Sequence, residues 1–75
     1  MPVTKDDINN LLQHFLDETW IDESEANEIR EYLHSRIDNG TLDAINLEAC
    51  FDEDWGICAP STLWETLEEV RRQNA

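Results

Sequence analysis

Between Cys50 and Cys58 the chain sets three consecutive carboxylates, Asp52, Glu53 and Asp54, with Trp55 and Gly56 beside them. Thiols and carboxylates at this density are the raw material of four chemistries: a metal centre, a dithiol couple, acid–base hydrolysis, or recognition of a cation. Zinc usually takes a close C-x2-C pair plus a second pair or histidines, whereas the cysteines here are spaced C-x7-C and only His14 and His34 stand elsewhere. A calcium loop counted from Asp52 needs glycine at its sixth position and glutamate at its twelfth, where Ile57 and Leu63 stand. A disulfide can span such a loop. Yet the start of the sequence lacks the basic and apolar regions of a secretion signal, so the expected location is the cytoplasm and the expected state is reduced. Ala49, Phe51, Ile57 and Ala59 flank the cysteines, which predicts two largely buried thiols acting as small hydrophobes.

Catalysis has even less to stand on. Paired-carboxylate hydrolysis needs two acids held across a cleft with separated pKa values, and a Cys–His pair needs a cradle of backbone donors; no motif marks either. The histidines sit beside apolar stripes and read as boundary or surface residues. With Gly40 and Gly56 as the only glycines, there is no phosphate-binding loop. The expectation is no enzyme activity, no metal and no cofactor. Recognition remains.

Charge gives that reading its direction. Eighteen Asp and Glu against five Lys and Arg leave a net charge of −13 on 75 residues, well beyond the magnitude of about 2–8 usual for a small domain. From Ile37 to Val70 there are nine acids and no Lys or Arg. Such a surface repels anionic membranes and the backbone of DNA or RNA, so direct binding to either is not expected. Hydrophobic residues still make up 40% of the chain, enough for a core and too many for a disordered acidic tail.

The elements that must carry these groups are helical. Thr4 with Asp7 opens a first helix over residues 4–19, with Ile8, Leu11, Leu12, Phe15 and Leu16 as its apolar stripe. Trp20 and Ile21 then fold back against its end. Asp22 (with Glu25) or Ser24 caps a second helix, residues 22–39, whose buried line is Ala26, Ile29, Leu33 and Ile37, widened by Tyr32, and which stops at Asn39-Gly40. Its outward face carries Glu28, Glu31, Ser35 and Asp38, a linear negative strip. Thr41 is expected to cap a short third helix, with Leu42, Ile45 and Ala49 on one face. An acidic loop, DEDWGICAP, follows. The last helix starts near Ser61 or Thr62, with Leu63, Leu67 and Val70 inward and Trp64 on the shoulder. The fold class is all-α: one small acidic domain over residues 1–75, a compact bundle of three to four helices with a short third helix.

The candidate partner-binding residues are therefore Glu28, Glu31 and Asp38 on the second helix and Asp52, Glu53, Asp54 and Trp55 on the loop. Trp55 reads as an aromatic anchor beside carboxylates that can pair with Arg or Lys, or else as a lid over the core. The partner implied is a basic protein, such as a nuclease, transcription factor or other nucleic-acid-handling protein, inhibited or regulated by electrostatic complementarity. The acidic surface would then act as a DNA or RNA mimic. In size and charge the chain resembles small acidic phage-encoded inhibitors of host defence or transcription. The segments SRIDNGTLDAINL and APSTLWETLEEVRRQNA are loosely similar to the second-to-third-helix turn and last helix of nuclease-colicin immunity proteins. The paired tyrosines of that family's short third helix are replaced here by Ala44, Ile45 and Asn46. The alternative is a non-catalytic adaptor or subunit read through an apolar patch. A homodimer through shared helix faces is also compatible with the sequence.

Overall fold

Thr4 opens the first helix as its spacing predicts: its hydroxyl accepts from the Asp7 N–H at 3.1 Å, and the Asp7 carboxylate accepts from the Thr4 N–H at 3.0 Å. The computed structural model describes residues 2–74 and carries, in chain order, α1 (Lys5–Asp17), α2 (Glu23–Asp38), α3 (Ala44–Ala49), a π turn (Cys50–Asp54) and α4 (Pro60–Gln73). The described residues form an all-α bundle with a short third helix. Asp22 and Glu25 repeat the reciprocal cap at the start of α2, so Asp22 rather than Ser24 is the cap. Each box satisfies two of the N–H groups that a helix start leaves without partners.

The first two helices also end alike. Thr19 N–H donates to Leu16 O and Trp20 N–H to Phe15 O, while Gly40 N–H donates to Ile37 O and Thr41 N–H to Arg36 O. These are paired Schellman bonds, which require a left-handed residue just past the helix. Gly40 takes that position at φ 68° and Thr19 at φ 61°. Trp20 stacks on Phe15 with centroids 5.3 Å apart, so the chain folds back there as expected.

Two expectations shift further along. Asp43, not Thr41, caps α3, accepting from the Asn46 N–H at 2.8 Å. Thr41 is engaged by Arg36, whose Nε donates to the hydroxyl and whose Nη2 donates to the carbonyl. Moving the cap by two residues turns the helix: Leu47, Cys50 and Phe51 face inward, while Ile45, expected on the packed face, is 78% exposed. At the other end, α4 begins at Pro60, which suits the first helical position because its missing N–H is not needed there. No side chain caps it, and neither Ser61 nor Thr62 marks its start.

One apolar cluster joins the elements: Ile8, Leu11, Leu12 and Phe15 from α1, Ile21, Ala26, Ile29 and Leu33, then Leu47 and Phe51, then Leu63, Leu67 and Val70 from α4. α1 is central and packs against both α2 and α4, and the α3–π segment lies on α4. The Cα radius of gyration is 11.3 Å. No helix among the described residues is long and apolar enough to cross a membrane.

Candidate functional site

The acidic stretch is helical at its start. Trp55 N–H donates to Cys50 O at 2.9 Å, a five-residue spacing that makes Cys50–Asp54 a π turn continuing α3. The loop proper spans residues 55–59. Ile57 N–H reaches back to Phe51 O at 2.8 Å across Gly56, whose φ of 60° permits the reversal. Phe51 is fully buried here, and Asp52, Glu53 and Asp54 all face water.

The arrangement leaves a gap beside α2. No Cα of the π turn comes within 8 Å of a Cα of α2. Side chains bridge the space: Tyr32 and Trp55 meet nearly edge-on, with centroids 5.9 Å apart at 86°, and Trp55 meets Phe51 at 5.2 Å and 85°. The gap is an open groove of about 580 Å³ lined by Glu25, Glu28, Ile29 and Tyr32 from α2 and by Asp54 and Trp55 from the turn. Two aromatic rings and Ile29 share its lining with three carboxylates.

Of the residues singled out from sequence, Glu28, Asp54 and Trp55 meet in this groove. Trp55 is half-buried and packed against the core, as a lid would be, and it also lines the groove. Glu31, Asp52 and Glu53 are exposed but do not line it. Asp38 stands apart: ten residues along α2 from Glu28, roughly 15 Å at 1.5 Å per residue, it pairs with Lys5 at 2.6 Å. Sequence reasoning passed over Glu25, Ile29 and Tyr32 as groove residues because Glu25 was accounted for by the cap and the other two by the core. Their common face was visible as the spacing i, i+3, i+4, i+7 through Glu25, Glu28, Ile29 and Tyr32.

The charged residues that line the groove are all acidic. The nearest cation, Arg36, donates from Nη1 to the Tyr32 hydroxyl at 3.2 Å, and its guanidinium carbon lies 5.9 Å from that ring's centroid. Beneath, burial pushes the Cys50 thiol pKa up and the Asp54 carboxylate adds to the rise, with Arg36 partly opposing. Burial and Asp52 raise Cys58 likewise. Both cysteines are free thiols, Cys50 buried and Cys58 half-buried. A raised pKa keeps a thiol protonated, the reverse of what a nucleophile needs. Among the described residues, no group of three or more His, Cys, Asp or Glu side chains is arranged to hold a metal ion.

No protein-family model matches the chain, and no similar curated protein or solved structure was found. The functional reading therefore rests on this geometry and charge alone.

Proposed function

We propose that the protein is a small acidic binding protein that occupies the basic site of a nucleic-acid-handling protein, such as a nuclease or transcription factor, and so inhibits or regulates it. The observation that carries the reading is the groove, where carboxylates and aromatic side chains from two separate elements line one open space. Charge steers such an encounter, and aromatic surface gives it residence time. Thirteen net negative charges equal the phosphates on about 22 Å of duplex, and the molecule measures 29 × 27 × 21 Å. The match supports competition with DNA or RNA for one basic surface. Some of the phage inhibitors that the chain resembles in size and charge mimic DNA in this way. The same reading assigns the protein to the cytoplasm and gives it no catalytic step.

Capture from a cell lysate at two salt concentrations identifies the partner and tests the mechanism. The retained protein is expected to be basic, to elute steeply with salt, to be displaced by added duplex, and to bind a Asp52→Lys/Asp54→Lys variant weakly. Binding that stays flat between low and high salt would refute electrostatic mimicry.

One observation favours the adaptor reading instead. Pro2, Val3, Leu42, Asp43, Ala44 and Trp64 line a second, more apolar recess of about 310 Å³, next in the chain to the exposed Ile45. A partner read there would be lost on Ile45→Asp and indifferent to the carboxylates of the π turn.

A further inference from the structure

We propose that the groove between α2 and the π turn is a receptor for an arginine side chain presented by a basic partner protein. In it the guanidinium lies against Tyr32 and Trp55 and is paired by Glu25, Glu28 and Asp54. The inference rests on the reading that the partner is basic, and adds the chemistry by which one of its residues is read.

The groove's shape comes first. Because the backbones of α2 and the π turn stand apart while Tyr32 and Trp55 bridge them, the space is open to solvent and floored by rings rather than by main chain. Its volume of about 580 Å³ falls within the roughly 300–1,000 Å³ of small-ligand sites. Tyr32 is 46% exposed although it lies on the flank of a buried helix face. An aromatic ring left in water beside a core is available to a cation, which is attracted within about 6 Å of a ring centroid. The molecule already shows the affinity of this ring for a guanidinium: Arg36 sits at 5.9 Å from its centroid, tethered to Thr41 and outside the groove lining.

Charge selects the occupant. Glu25 and Glu28 approach from one wall and Asp54 from the other. Glu25 accepts a long bond of 3.5 Å from the Asp22 N–H, and Asp54 lies within hydrogen-bonding reach of the Cys50 thiol. Carboxylates on two walls that also carry aromatic rings suit a flat cation that donates from several edges and stacks by its face, which is arginine; an ammonium makes neither the fork nor the stack. A second copy of the chain would bring thirteen more net negative charges to the same place, and nucleic acid would bring phosphates. Both are repelled.

The test is an NMR titration of the uniformly labelled protein with three short blocked peptides, identical except for a central arginine, lysine or citrulline. The arginine peptide is expected to shift the Trp55 indole N–H and the amides of Glu25, Glu28, Tyr32 and Asp54 along a saturating curve. The lysine peptide should bind several-fold more weakly and the citrulline peptide not at all. Glu28→Gln with Asp54→Asn should weaken the arginine peptide at least about tenfold, and Trp55→Leu should abolish the shifts. The doubly neutralised variant is isosteric and exposed, so it decides the matter even where Trp55→Leu impairs folding. Equal shifts with lysine and arginine, or shifts spread over all acidic faces, overturn the proposal. Oligoarginine separates the two levels: salt-sensitive binding that leaves the groove resonances unmoved overturns the receptor and spares the basic-partner reading, whereas no binding overturns both.

Discussion

Thr19 carries backbone strain in a molecule otherwise free of it among non-glycine residues: it alone, of the described ones, has positive φ, and it is β-branched. A left-handed conformation costs an L-residue roughly 1–2 kcal/mol, and Gly40 shows how the second helix avoids that cost at the same motif position. Thr19→Gly is therefore expected to stabilise the fold by about 1 kcal/mol, read as a rise of roughly 4–8 °C in Tm; an unchanged Tm would show that the strain is relaxed in solution. Asp7 is the other residue whose local chemistry predicts a measurement. Arg71 donates to it twice, from Nε at 3.1 Å and Nη2 at 2.7 Å, and holds its pKa below the usual carboxylate value, against the opposing effect of burial. A lowered folded pKa means stability that is present above the unfolded pKa and lost as pH falls through the folded one. Asp7→Asn should thus cost about 1–2 kcal/mol at neutral pH, and the gap between the two proteins should close progressively below roughly pH 4. Paired urea titrations across that range check the sign, since a gap that widened in acid would contradict it.

At the scale of elements, α3 and its π extension decide what the acidic stretch can do. Leu47 and Phe51 interrupt the face that a Thr41 cap would predict, and they turn out to be its core face once Asp43 is the cap. Phe51 is fully buried and lies 5.8 Å from Phe15 and 5.2 Å from Trp55, centroid to centroid. Phe51→Ala is expected to cost about 3–5 kcal/mol, and Ile45→Ala less than about 0.5 kcal/mol. Comparable losses at the two positions in chemical denaturation would mean that the helix is rotated relative to this description. The contrast explains what could be read in advance. Caps with reciprocal partners and stripes with 3.6-residue period are local, so α1, α2 and the inward line of α4 were legible from Thr4, Asp22 and the spacing of Leu63, Leu67 and Val70. A π turn has no sequence period of its own, and a six-residue helix is too short for its stripe to outweigh a two-residue change of cap. The groove was half legible for a related reason: Glu28, Asp54 and Trp55 stood out by type. That α2 and the π turn face one another, so that Asp54 rather than Asp38 shares a site with Glu28, follows from packing across α1 and α4, which no local pattern encodes.

At the scale of the whole molecule, charge opposes the fold and serves the proposed recognition, so one variable should move the two in opposite directions. All eighteen acids are at least partly exposed, and the two that are half-buried, Asp7 and Glu48, each have a fixed donor, Arg71 and the Trp64 indole N–H at 2.6 Å. Among the described residues only Asp7 and Asp38 sit in ion pairs. The other carboxylates have no cation paired with them and repel one another over distances that salt controls, the Debye length falling from about 10 Å at 0.1 M to about 3 Å at 1 M. Added sodium chloride should therefore raise Tm, most steeply at the low end, whereas a protein near charge balance with ordinary ion pairs would gain little. Over the same range the affinity for a basic partner should fall. Chloride rather than sulfate is the salt to use, because sulfate strengthens apolar burial and would stabilise any fold. A Tm that dropped with chloride would mean that ion pairing outweighs repulsion on this surface, and affinity that rose with it would assign binding to the apolar recess at Trp64 instead of the groove at Trp55.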